Sequence, residues 1–431
     1  MTMRCLDVRI DRDHVGVLSE NAGIWSFQYE QSWINEGFAL APGLPLQVDE
    51  IIDTGSSRPV QWFFDNLLPE EAARTILLRM ESSQTIGLDA WSLLSMFGAE
   101  SAGAISLFVP GTTPDQNGLQ PLADEDLERR IQAMPRQPLA ANAPKKMSIA
   151  GAQQKLLVVL GGDGQLFEPV GGTASTHILK PDVTSDHYPC SAVNEWFCAM
   201  LARRLGLNVP DVELRFLPSP VYIIKRFDRD FSSDPVRRLH ALDAAQLLSL
   251  SAGAKYAKSG VASLDDISGK TRGEYATRTS LFRWALYNAL IGNSDAHLKN
   301  ISLFAGANGY TLAPHYDLLS TAAWSVPDLV GSGEVTWPDV AMSFPIGGAK
   351  TYAELSRDQL AEFGKQLGVA PNTIERERQR MVNAIVPAAQ ELMAEFEARN
   401  DVPPPQRASG MLMLRRIFYM CISETARKLQ G

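Results

Sequence analysis

Apolar and polar positions alternate with a period of two near the start of the chain. CLDVRI (5–10), HVGVLS (14–19) and AGIWSFQY (22–29) read as short strands joined by turns, a hairpin or small meander. The period then lengthens. In 61-QWFFDNLLPEEAARTILLRM-80 it predicts a helix starting near Pro69, whose first-turn acids suit the helix dipole. In 87-GLDAWSLLSMFGAESAGAISLF-108 a helix gives way to a strand. Residues 109–120 are rich in Pro, Gly and polar side chains and mark a boundary. A second polar stretch, 133–146, leads into 148-SIAGAQQKLLVVLGGDGQLFEPV-170, which reads as a glycine-containing loop, a strand, a GGDG turn and a returning strand. THILKPD (176–182) alternates as a strand with Lys180 near its end, and VYIIKRFDR (221–229) reads as another. Between them, 191–207 is a helix closed by Gly206, with Pro210 just beyond. From about 240 onward helical periodicity dominates, ending in 410–430. Strand-rich segments before a large helical region predict an α+β fold, not alternating βαβ units.

A chain of 431 residues can bury two or three cores, and 45% hydrophobic with 21% charged residues is ordinary for a globular protein. The net charge of −9 argues against broad affinity for nucleic acid or membranes. Cys5, Cys190, Cys198 and Cys421 are scattered without a CxxC pair, so neither a zinc ribbon nor a disulfide framework is indicated, and a reducing cytoplasm fits. The start is charged and lacks the apolar core of a signal peptide, and the apolar runs fall short of a membrane span.

The chemistry concentrates in 292-GNSDAHLKNISLF-304 and 312-LAPHYDLLS-320. Asp295 and Asn300 form D-x-x-x-x-N. A carboxylate there can orient a hydroxyl nucleophile, and an amide oxygen five residues on can ligate Mg2+, which favours hard oxygen ligands. Asp317 follows after a hairpin-like stretch. Base, amide, then metal aspartate is the order used in phosphoryl transfer by protein kinases. Taken singly, these residues also suit turns. Lys180, at a strand end, can reach phosphates. Glu195 on the next helix shares a face with the small residues Cys198, Ala199 and Ala202, and Lys180 is its natural partner. The loop before Lys155 has the small residues of a phosphate nest, without a Walker or G-x-G-x-x-G pattern. KRFDR (225–229) lies where strands give way to helices, the kind of junction that holds an adenine.

Taken together, SIAGAQQK, THILK, VNEWFCAMLARRLGLNVPD, KRFDR, GNSDAHLKN and APHYDLLS closely resemble the HipA family of bacterial serine/threonine kinases, the toxin halves of toxin–antitoxin pairs. FFDNLLPE (63–70) and FGAESAGAI (97–105) resemble the family's N-terminal subdomain, so the likeness spans nearly the whole chain. It implies a protein-kinase-like bilobal α+β fold. The expected parts are a HipA-type subdomain over 1–110, a β-rich N-lobe over 120–228 and a helical C-lobe over 229–431. It implies Asp295 as catalytic base, Asn300 and Asp317 as Mg2+ ligands, and Lys180 as the phosphate-binding lysine. Ala150, Gly151, Ala152, Gln153, Gln154 and Lys155 match the phosphate loop of an ATP site. Lys225, Arg226 and Phe227 match the adenine side, and His297, Lys299 and Tyr316 fall in nucleotide-contacting stretches. Ser148 matches the serine that family members autophosphorylate to shut themselves off. A phosphate there adds about −1.5 to −2 charges beside a loop built for phosphate. The implied partners are a HipB-like antitoxin, a protein substrate of the class of glutamyl-tRNA synthetase, and operator DNA reached mainly through the antitoxin, with corepression and persistence as consequences. The chain departs from the family in lacking an acid before Lys155 and in carrying Lys225 before Arg226.

Three rivals use the same residues. Small-molecule kinases share the D-x4-N then Asp layout. A metal-dependent hydrolase would use Asp295, His297, His315 and Asp317 as ligands. A catalytically silent corepressor would leave Lys180, Asp295, Asn300 and Asp317 without purpose. The charged runs 375-ERERQRM-381 and 415-RRIF-418 read as solvated helix faces. Met411, Met413 and Met420 read as core filling. His14, His177, His187 and His240 have no ligand spacing, and Asp243 and Gln246 take no chemistry.

Overall fold

The computed structural model describes residues 3–69, 74, 89–112, 116–146, 153–331 and 333–430. The chain forms two compact units. One comprises 1–179, 225–255 and 302–313; the other comprises 180–224, 256–301 and 314–431.

The first unit begins with the predicted meander. Strands β1 (Arg4–Ile10), β2 (Asp13–Asn21), β3 (Ile24–Tyr29), β4 (Ile51–Ile52) and β5 (Ile105–Phe108) form an antiparallel sheet ordered β4-β3-β2-β1-β5. Ala22 and Gly23 join β2 to β3 with φ of 52° and 84°, the positive values of a two-residue type I′ turn. The alternation buries Leu6, Val8, Leu18, Trp25, Phe27 and Tyr29. Helix Ala90–Phe97 is N-capped by Asp89, which accepts from Ser92 N at 2.9 Å, and brings Trp91 edge-on to Trp25 at 5.1 Å. One helix was not expected: it starts at Pro59 and runs to Asp65. Proline at the first helical position gives up an N–H that has no partner there in any case. The helix expected to start near Pro69 lies outside the described residues except at Arg74, which is helical.

Four more antiparallel strands follow, β6 (Asn117–Leu122), β7 (Leu156–Leu160), β8 (Leu166–Gly171) and β9 (His177–Pro181), with β7 between β8 and β9 and β6 beyond β8. A smaller sheet joins Ala241–Asp243 to the hairpin Ser302–Gly306/Gly309–Leu312. Asp243 and Gln246 form a reciprocal capping box at 2.9 Å, and Gln246 donates to Phe63 O, so their role is structural.

The first unit also holds a charged core. Glu100, fully buried, accepts from Lys145 Nζ at 2.5 Å, from Arg229 and Arg238 at 2.8 Å each, and from Ser175 Oγ at 2.9 Å. Burial alone would raise its carboxyl, but Arg238, Lys145, Arg229 and Arg226 overcome that and hold it well below the usual carboxylate range. Asp228 completes the set, accepting from both forks of Arg226 and from Gly103 N.

The second unit contains the hairpin β10 (Val212–Phe216)/β11 (Pro220–Lys225), as far as Ile224, and most of the helices. Helix Pro371–Ala398 packs on Ser191–Arg204, Glu274–Ile291, Pro404–Arg416 and Ser423–Gln430. A second hairpin, Ala341–Ile346/Ala349–Thr351, interrupts the expected run of helices. Met342, Phe344 and Ile346 alternate inward there, and Gly347-Gly348 turns with φ of 55° and 92°. The run 375–381 is not a solvated face throughout. Glu377 and Arg378 are buried, and Arg378 donates to Leu429 O, tying the long helix to the C-terminal one. Met411 and Met413 fill core as expected, but Met420 is half-exposed. Among the described residues no helix is long and apolar enough to cross a membrane.

Candidate active site

The site grows from the end of helix Glu274–Ile291. Gly292 stops the helix at φ 70°, its N–H returning to Ala289 O. Asn293 then works in both directions: its amide donates to Asn288 Oδ1 at 2.8 Å, and its Oδ1 accepts from Asp295 N at 3.1 Å. Ser294 N is held by Thr321 Oγ1 at 2.6 Å. The loop is thus pinned on both sides of Asp295, whose own side chain is exposed.

A 3-10 turn, Leu298–Asn300, follows. His297 N donates to Asn300 Oδ1 at 2.9 Å, so the other end of that carboxamide faces Asp317 and donates to its Oδ2 at 2.8 Å. Asp317 has φ 57°, a left-handed conformation that aspartate tolerates better than most residues. Its Oδ1 accepts from Lys180 Nζ at 3.0 Å, and the same ammonium donates to Glu195 Oε1 at 2.7 Å. Burial alone would lower the Lys180 pKa, but Asp317 and Glu195 more than reverse it, and the lysine stays charged. Glu195 lies on a helix whose Cys198, Ala199 and Ala202 are buried, the small-residue face expected. One residue earlier, Asn194 exchanges two hydrogen bonds with Ser320, fixing this helix against the segment that carries Asp317.

Lys180, Glu195, Asn300 and Asp317 therefore form one connected polar network. Tyr316 and Lys299 support it, the Tyr316 hydroxyl donating to Lys299 O at 2.6 Å. Its oxygens suit a hard divalent cation such as Mg2+. The Asp317 side chain keeps 36% exposure, so its carboxylate is open to an ion from solvent, and the Asn300 oxygen has a second lone pair beside the one His297 N uses. A His/Asp transition-metal site is not assembled. Among the described residues no three His, Cys, Asp or Glu side chains converge, and His315 is buried against Ser280 at 3.2 Å, its imidazole pushed down to about 4 by burial.

Other expected residues stand in the first unit. Lys225 Nζ lies 4.4 Å over the Phe231 ring, Arg226 is committed to Asp228, Ser175 and Ser101 O, and Phe227 packs edge-on to Phe304. Gln154 accepts from Leu139 N at 2.9 Å, and Gln153 and Lys155 flank it before β7. Ser148, Ala150, Gly151 and Ala152 lie outside the described residues. Two features went unread in the sequence. The Glu100 cluster joins residues far apart in the chain, and Tyr256, whose hydroxyl donates to Asp295 Oδ1 at 2.6 Å, has no spacing that links it to position 295.

Known proteins carry the same plan. Residues 6–108 match the model of the HipA N-terminal domain, and residues 147–389 that of the HipA-like C-terminal domain. The putative kinase Y4mE of Sinorhizobium fredii is 33% identical, over 93% of this chain and 94% of its own length. The serine/threonine-protein kinase toxin HipA of Shewanella oneidensis is 31% identical over 71% of this chain and 72% of its own. A solved complex of Shewanella oneidensis HipA with HipB and operator DNA superposes with a TM-score of 0.79 at 25% identity, covering 98% of this chain and 99% of that one. With both family domains in order and the α+β fold shared along its length, this chain is a member of the HipA family of kinase toxins.

Proposed function

We propose that the chain is an ATP- and Mg2+-dependent serine/threonine protein kinase, the toxin of a toxin–antitoxin pair, acting in the cytoplasm. The observation that carries the reading is the Lys180 ammonium bridging Glu195 and Asp317 at 2.7 and 3.0 Å, with Asn300 on the far oxygen of Asp317. Phosphoryl transfer asks little covalent chemistry of a protein and much positioning of charge. Lys180 has three donors and two carboxylate partners, which leaves one for a phosphate oxygen. Asn300 and Asp317 supply oxygen ligands, and Mg2+, when bound, neutralises charge on the transferring phosphate. Asp295, exposed on a pinned loop, orients the substrate hydroxyl and accepts its proton.

Ser148 is the expected site of self-inactivating autophosphorylation, with Ala150 to Lys155 as phosphate loop and Lys225 to Phe227 on the adenine side. The solved HipA–HipB–operator complex supports a HipB-like antitoxin and operator DNA as partners, and the net charge of −9 favours DNA contact made mainly through the antitoxin. A translation factor such as glutamyl-tRNA synthetase is the substrate class the family resemblance favours. The test is incubation of protein, shown by mass to be unmodified, with Mg-ATP, followed by phosphosite mapping, with Asp295→Ala alongside. Phosphate on Ser148 in the wild type and not in the variant is the expected outcome. No phosphate and no ATP binding would overturn the kinase reading.

A further inference from the structure

Asp295 is exposed, and an exposed carboxylate turns freely about its two side-chain bonds. A base that must meet a hydroxyl at one geometry needs something to stop that rotation. Its backbone N–H is fixed by Asn293, which leaves the carboxylate itself undirected. Among the described residues, the side chain that meets it is Tyr256, whose hydroxyl donates to Oδ1 at 2.6 Å. Tyr256 is itself backed by a ring: its centroid lies 5.1 Å from that of His297, with the planes at 78°. His297 is buried and its backbone is locked to Asn300, so the phenol rests on the rigid part of the site. Two exposed partners gain little folding stability from meeting each other. That makes the contact hard to explain as a structural one.

We infer that Tyr256 is a positioning residue for the base, a deeper reading that rests on the proposed kinase activity. Its hydroxyl holds Oδ1 of Asp295 and so presents Oδ2 to the incoming hydroxyl. In the transfer, the substrate oxygen bonds to the γ-phosphorus, the bond from that phosphorus to the β,γ-bridging oxygen breaks, and ADP departs with the electron pair. The hydroxyl proton passes to Oδ2, and the tyrosine keeps its own. Because Tyr256 is 47% exposed beside the base, its ring also forms part of the rim against which the residue carrying the substrate hydroxyl lies.

Tyr256→Phe keeps the ring and its contact with His297 and removes only the hydroxyl. The reading is self-phosphorylation by intact mass, as initial rates over a range of Mg-ATP concentrations, with thermal melting in parallel. The maximal rate should fall about 5- to 30-fold, as expected for one lost orienting hydrogen bond. Half-saturating Mg-ATP and the melting temperature should stay at wild-type values. An unchanged maximal rate overturns the assignment. So does a faster one, which would make the tyrosine a cover over the base, and so does an effect confined to Mg-ATP affinity. A wild-type protein that transfers no phosphate overturns the kinase reading and this inference together, whereas an active wild type with an equally active variant overturns the inference alone.

Discussion

Lys180 is one ammonium satisfying two carboxylates, and its side chain and that of Glu195 are only 9% and 3% exposed. Taking both charges out of water is costly, and their mutual attraction offsets that only while both are present. The folded lysine pKa lies above its ordinary value, so the pair's contribution is intact at neutral pH. It is lost only as pH rises through the folded value on the alkaline side. Lys180→Met should therefore destabilise the protein by about 3–5 kcal/mol in urea denaturation, because Glu195 is left charged and buried. Adding Glu195→Met should recover most of that loss, since well-packed apolar pairs replace buried ion pairs at little cost. Phosphate transfer should be absent in both. A double variant as unstable as the single one would refute the pairing argument. This pair was legible in the sequence because a lysine at a strand end and a glutamate on a small-residue helix face leave each other as partners. Tyr256 was not, because a contact between two exposed loop residues leaves no periodicity to read.

At the scale of elements, the site hangs on how helix Glu274–Ile291 ends. Gly292 has φ 70°, and a Cβ there would lie 2.8 Å from Cys421 Sγ and 3.2 Å from Ala322 Cβ. Cys421 belongs to the π-helical turn Ile417–Ile422, so helix end, π turn and the loop carrying Asp295 meet at one glycine. Gly292→Ala should lower stability by about 2 kcal/mol or more, from left-handed strain plus the close contact. It should also slow transfer, because Asn293 to Asp295 would be carried out of register with Thr321 and Tyr256. Gly269→Ala is the control. It lies inside helix Val261–Lys270 with nothing within 4 Å, and should hold or gain up to about 1 kcal/mol. Equal melting temperatures for the two variants would refute the argument. The strands and most helices were readable from period and turn residues: β1 to β3, the β7–β8 turn and helix Ser191–Arg204 fall where the pattern puts them. The failures have local causes. Helix Pro59–Asp65 is too short to set a period of its own, and the charge-rich run around Arg378 hid two residues that the long helix buries.

For the whole molecule, alternation followed by helical period was enough to predict the α+β class, but not the composition of the two units. Arg226, Arg229 and Arg238 reach Glu100 across more than a hundred residues, and such pairings follow from topology rather than from any local pattern. Each unit also holds a buried histidine whose imidazole is pushed well down, and these two contribute to how the protein responds to acid. His240 in the first unit packs against Phe38 and Phe63 and bonds Leu40 O through Nε2 at 2.8 Å. A carbonyl partner requires that nitrogen to carry a proton, and burial keeps the ring neutral at pH 7, so one tautomer is fixed. His315 in the second unit meets Ser280, with the Arg283 cation nearby. Burial pushes both imidazoles from 6.5 down to about 4. The unfolded chain protonates them near 6.5, the folded one does not until about 4. Between those values the unfolded state binds more protons, so stability falls as pH falls, is fully present above the upper value, and levels off below the lower one. The fall should be on the order of 3 kcal/mol for each histidine. Urea midpoints compared at about pH 7 and about pH 5 should therefore separate clearly in the wild type. His240→Gln and His315→Gln, which retain a neutral donor, should each reduce that separation, and the double variant should reduce it most. Wild-type midpoints that do not change over this range would mean that the buried rings take up protons in the folded state as readily as in the unfolded one.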